Sequence, residues 1–253
     1  MTTNLVLRED RGRAAILTLN RPDKLNALNV ELFIALNEKV QTIRAQGDAV
    51  AMVVLRGAGR CFSAGHDLND IAVGEKLPEA SFQAKVIERL ANLPMPVITV
   101  VHGHCYTGAL ELALAGDIIL ATDNAKFGDT HARWALTPVW GLSQRLPRRV
   151  GTYKAREMMF TCRTIGGREA LAIGLANICV ADADLEASLN QLISDIAANS
   201  SFSHAANKRL LTESDGLPLA DGLAREVYRG EGRGPDMEER IAAFTAKTAK
   251  IKS

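Results

Sequence analysis

"PVITVVHGHCYTGALELALAGDIILA", Pro96 to Ala121, is the stretch whose reading decides the fold. It opens on the apolar run "PVITVV" (96–101) and closes on "DIILA" (117–121), with a Thr107-Gly108 turn and an Ala/Leu-rich helical segment between them. Apolar strands of this kind, separated by a helix, imply parallel strands covered on both faces. Glu111 does not fit. From Ala109 to Ala115 every other residue is Ala or Leu, and an ionised carboxylate placed there without a partner is costly or takes up a proton.

The pattern extends in both directions. "AAILTL" (14–19) and "VAMVVL" (50–55) read as strands, and "NVELFIALNEKVQTIRA" (29–45) as an amphipathic helix with Leu32, Leu36, Val40 and Ile43 at three- and four-residue spacing. Ser81 to Leu93 gives another helix. The fold class is therefore α/β. From about Asp182 helix follows helix, over 182–199, 201–214, 217–229 and 236–250, and association through this tail is expected because its apolar faces need cover.

Bulk properties narrow the function. Lys and Arg total 30 against 29 for Asp and Glu, which leaves no field to attract a polyanion, so nucleic acid is not an expected partner. Cys61, Cys105, Cys162 and Cys179 form no CxxC and suit a reducing compartment. "MTTNLVLREDRG" lacks the features of a leader, and the longest apolar segment is too short to span a bilayer. A cytoplasmic protein without a membrane partner is expected.

Two glycine turns carry the chemistry. "VVLRGAGRCFSAGHDL" (53–68) runs from a strand into a glycine-rich loop, but Phe62 occupies the third glycine position of a dinucleotide fingerprint and no G-K-[ST] follows. What remains is "SAGHD", where Gly65 permits a sharp turn that frees the amide of His66, unless Asp67 merely caps the next helix. Gly108 opens the helix of Glu111, so its amide is an unpaired helix donor. Both loops lie beyond strand C-terminal ends, where two N–H groups can converge on one oxygen. His102 and His104 have no third ligand at metal-site spacing, and no metal is expected.

"LNRPDKLNAL" (19–28), "FSAGHDL" (62–68), "HGHCYTGALELALAGDIILA" (102–121), "KFG" (126–128), "GLSQRLPRRVG" (141–151) and "MEERIAAFTAK" (237–247) together resemble the crotonase superfamily, the enoyl-CoA hydratase/isomerase family. The resemblance implies a crotonase-like spiral of ββα units over 1–195 that carries the site. It also implies a helical C-terminal region over 196–253 that serves assembly as trimers or dimers of trimers and covers the site. An acyl-CoA thioester is the implied substrate, with no cofactor beyond the coenzyme A it carries. The amides of His66 and Gly108 take the place of that family's oxyanion hole, and Glu111 that of a catalytic glutamate. Lys24, Ala64, Leu68, Phe244 and Lys247 fall where relatives hold coenzyme A. Trp134 and Trp140 flank the loop that shapes the acyl pocket.

The chain departs from the pattern at one position. Hydratases of the family place a second glutamate after "FG", and here His131 of "FGDTHARWALTP" takes it, with Asp129 nearby. Imidazole is mostly unprotonated at pH 7 and is no simple substitute for a carboxylic acid. Hydration of a 2-enoyl-CoA is the leading expectation. An isomerase, decarboxylase or hydrolase of the superfamily, or a non-catalytic acyl-CoA binder, is the alternative.

Overall fold

The computed structural model describes residues 4–252, with side chains through Lys247. Its strands are β1 (Val6–Arg11), β2 (Ala14–Leu19), β3 (Met52–Gly57), β4 (Val97–Val101), β5 (His104–Tyr106), β6 (Ile118–Thr122), β7 (Lys126–Gly128), β8 (Ile165–Gly166) and β9 (Ile178–Val180). The helices are α1 (Val30–Gln46), α2 (Leu68–Val73), α3 (Phe82–Ala91), α4 (Gly108–Ala113), α5 (Leu142–Val150), α6 (Thr152–Thr161), α7 (Gly167–Ala172), α8 (Leu185–Ala197), α9 (Ser201–Ser214), α10 (Leu219–Arg229) and α11 (Met237–Lys252). Among the described residues no helix is long and apolar enough to cross a membrane.

One sheet has the order β1-β2-β3-β4-β6-β9, and a smaller one the order β5-β7-β8. From β2 to β9 every pairing in the large sheet is parallel, with Ile16 opposite Val54, Val54 opposite Ile98 and Ile98 opposite Ile118. Both faces are covered. Val53 and Leu55 of β3 pack into a cluster with α1, α3 and α4, while Met52 and Val54 face Leu189 and Ile196 of α8. Successive strand residues point to opposite faces, so a strand buried on both sides is apolar throughout. That is why the central strands are legible as unbroken runs.

The edge strand β1 is different. It pairs antiparallel with β2, and Val6 is buried while Glu9 and Asp10 are exposed, so "VLREDR" carries no apolar run. α1 begins where Asn29 accepts a hydrogen bond from the amide of Leu32 and buries Leu32, Phe33, Leu36, Val40 and Ile43. Each such residue contributes about 1.5–3 kcal/mol by leaving water. α9, α10 and α11 follow as a tail with apolar side chains such as Leu211, Leu219, Tyr228 and Ile241 exposed.

Candidate active site

Parallel pairing of β3 with β4 sends the loops after both strands to one rim of the sheet. They are joined there. The amides of Phe62 and Ser63 donate to the carbonyls of His102 and His104, at 2.8 and 2.9 Å. Asn26, fully buried, donates from Nδ2 to the carbonyls of Ala58 and Cys61 at 2.8 and 2.9 Å, and its own carbonyl accepts from Ser63 Oγ. At Gly65, where φ is +109°, a Cβ would stand 2.7 Å from the carbonyl oxygen of Tyr106. Only glycine permits the two turns to approach this closely.

The same loop orients the amide of His66. Leu28 donates to the carbonyl of Gly65 and accepts from the amide of Asp67, both of which flank His66 in a parallel bridge. In such a bridge the N–H of His66 itself points away from Leu28. Across the rim, Thr107 holds φ at 54°, an outlying value for a β-branched residue, and its hydroxyl lies 2.6 Å from that of Thr130. Gly108 follows as the first residue of α4, with no helical carbonyl to receive its amide. His66 and Gly108 both touch Trp140: the His66 ring lies 4.6 Å from it, and a Cβ on Gly108 would stand 2.5 Å from it.

Glu111 is almost wholly buried, yet it borders a cavity of 380 Å³ that His66, Gly108, His131 and Trp140 also line. Its Oε1 accepts from the amides of Trp140 at 2.8 Å and Leu142 at 3.1 Å. Leu142 opens α5, whose cap residue, Gly141, has no side chain to offer, so the carboxylate serves that helix N-terminus instead. Burial pushes the Glu111 carboxyl above its ordinary value, and the two amides and His131 pull it part of the way back.

His131 is buried beside it. Nδ1 lies 2.6 Å from Asp129 Oδ1, which also accepts the backbone amide of His131 at 3.1 Å. A carboxylate only accepts, so Nδ1 carries a proton and Nε2 faces away from Asp129. Nε2 stands 3.8 Å from Glu111 Oε2, the oxygen that the amides leave free.

A second chamber of 320 Å³ shares His66, Ile71, His131 and Leu136 with the first and continues past Ala64, Leu68 and Trp134. The structure thus brings Glu111, His131, His66, Gly108, Ala64, Leu68, Trp134 and Trp140 to one divided cavity. Trp140 is a buried wall of the inner chamber, whereas Trp134 is half-exposed in the outer one. Lys24, Phe244 and Lys247 line neither chamber and are exposed in the single chain. Two clefts of 530 Å³ along α9 hold none of these residues.

Sequence reading missed Glu75, whose Oε1 lies 2.7 Å from His66 Nε2 in the inner chamber, and Arg133 in the outer one. Glu75 lies in the loop beyond α2 and has no periodic relation to the site. Asp67 does cap α2, its side chain accepting from the amide of Asn69, so the capping and free-amide readings of "SAGHD" coexist. Among the described residues no group of three His, Cys, Asp or Glu is placed to hold a metal ion.

An α/β fold whose two rim loops line one chamber with a buried glutamate is thus in place, and comparison with known proteins gives the class. The enoyl-CoA hydratase/isomerase family profile matches residues 9–229. A short-chain-enoyl-CoA hydratase of Clostridium acetobutylicum is 33% identical over 256 residues, covering 98% of this chain and 97% of its own. The 1,2-epoxyphenylacetyl-CoA isomerase of Escherichia coli is also 33% identical, over 240 residues, covering 91% of each. A Thermobifida fusca protein solved in complex with acetoacetyl-CoA superposes with a TM-score of 0.79 at 29% identity, covering 89% of this chain and 92% of that one. This chain belongs to the enoyl-CoA hydratase/isomerase family, with the crotonase fold.

Proposed function

We propose that the divided cavity is an acyl-CoA site and that the chain hydrates a 2-enoyl-CoA thioester. The carrying observation is that Glu111 Oε2 and His131 Nε2 stand 3.8 Å apart in a chamber that His66 and Gly108 also line. A water about 2.8 Å from both atoms is held and deprotonated by them. Its oxygen bonds to C3, and the C2=C3 π electrons move toward the thioester oxygen as an enolate. The amides donate to that oxygen, each worth about 3 kcal/mol by analogy with other oxyanion holes. C2 then takes a proton from the Glu111–His131 pair, so one water is added and the enzyme is left as it began.

A second reading is isomerisation, and the Asp129-held imidazole favours it. A base next to a stabilised enolate can remove a proton at one carbon and return it at another without water. Loss of conjugated-thioester absorbance from crotonyl-CoA tests hydration. Turnover that Glu111→Gln abolishes supports it, whereas migration of the double bond with no addition of water supports isomerisation. Binding without either reaction makes the chain a non-catalytic member.

The exposed apolar side chains of α9, α10 and α11 support assembly as trimers or dimers of trimers, with Phe244 and Lys247 closing the coenzyme A site between subunits and Lys24 meeting its phosphates. Light scattering after size exclusion tests the assembly. Four buried free cysteines accord with a cytoplasmic setting.

A further inference from the structure

Enolate stabilisation uses only the backbone N–H of His66. Its side chain has other business. The His66 ring packs against Trp140, and its Nε2 lies 2.7 Å from Glu75 Oε1. The other oxygen, Glu75 Oε2, accepts from Nε2 of Gln83 at 3.0 Å, and Gln83 is a buried residue of α3. A hydrogen-bonded line thus runs from α3 through the loop after α2 into the inner chamber, where Glu75 and His66 form part of the wall.

An alkyl chain seated against that wall would strip water from a carboxylate and an imidazole and return nothing. Each oxygen of Glu75 accepts one hydrogen bond, so two of its roughly four lone-pair sites remain for a ligand. Glu111 Oε2 borders the same chamber. The wall is therefore rich in hydrogen-bond acceptors. It suits a group that donates a hydrogen bond, and it opposes a terminal carboxylate.

We propose that His66 and Glu75 form a polar subsite that selects acyl-CoA thioesters carrying a hydroxyl group beyond C3. This rests on the acyl-CoA reading of the cavity, in which C1 to C3 are taken by the two amides and the Glu111–His131 pair. The hydroxyl donates to Glu75, and His66 and Gln83 hold that carboxylate in place.

Isothermal titration with saturated thioesters, which need no turnover, tests it. Hexanoyl-CoA, 6-hydroxyhexanoyl-CoA and adipoyl-CoA present methyl, hydroxyl and carboxylate at one position, and butanoyl-CoA with 4-hydroxybutanoyl-CoA repeats the comparison nearer C3. The native chain is expected to bind at least one hydroxyl ligand about tenfold or more tighter than its methyl counterpart, with adipoyl-CoA weakest. Glu75→Leu should bring hydroxyl and methyl ligands within about threefold of each other. Glu75→Gln, which keeps the shape and an acceptor oxygen, should relieve the penalty on adipoyl-CoA and guards against misfolding of the leucine variant. Equal binding of hydroxyl and methyl ligands, or a hydroxyl preference that survives Glu75→Leu, overturns the subsite and leaves the acyl-CoA reading standing. No binding of any thioester overturns both.

Discussion

Replacing Glu111 in two ways separates its chemistry from its place in the fold. Glu111→Ala removes the acceptor of two buried amides, those of Trp140 and Leu142. An unsatisfied buried donor costs about 1–3 kcal/mol, and the space left by the side chain adds to it, so the loss is roughly 3–6 kcal/mol. For a chain of this size that lowers the melting temperature by about 6–24 °C. Glu111→Gln keeps an oxygen for both amides and removes a buried charge. It should melt within a few degrees of the native chain while losing about 10²–10⁴ in kcat on its enoyl-CoA substrate. Calorimetry and the crotonyl-CoA assay read the two effects separately. The reasoning is refuted if the alanine variant melts like the native chain, or if the glutamine variant retains full turnover.

Gly65→Ala forces a Cβ to 2.7 Å from the Tyr106 carbonyl at a φ of +109°. It should destabilise the chain by about 1–3 kcal/mol and cost about 10²-fold in kcat as the His66 amide shifts, read by melting and turnover together. Asp129→Asn no longer fixes the proton on His131 Nδ1, so kcat should fall by about tenfold or more with KM little changed, and a full-rate variant would remove His131 from the proton-handling role. Glu111 holds its proton to higher pH in the fold than when unfolded. Its protonation thus contributes stability that is full below about pH 4.3 and is lost as pH rises through the folded value. Urea titrations across that window should show the Glu111→Gln variant gaining on the native chain as pH rises, then holding a constant lead.

The central strands and α1 were legible because burial on two faces, or on one stripe, writes itself into residue order. The two rim turns were legible too, since Gly65 and Gly108 mark bends beyond strand ends. β1 was not, because an edge strand with charges on its solvent side has no apolar run. Nor was Glu75, which reaches His66 only because the loop beyond α2 turns back over the cavity and Gln83 anchors it. The Asp129–His131 contact arises where β7 ends and a short 3-10 turn begins at His131, a local bend with no period to read.

The Nδ2 bonds of Asn26 and the turn at Gly65 fix the loop that carries the His66 amide, so the proposed charge-stabilising donor is set by the rim of the fold and not by the His66 side chain. The proposed proton-moving groups, by contrast, hang from α4 and from the turn after β7. On the proposed reading, a change at residue 131 or 75 redirects what the molecule does to its substrate while the negative oxygen stays equally well received. On that reading the scaffold separates a fixed half of the catalyst from an editable one, and new reactions can arise one loop residue at a time without rebuilding the sheet.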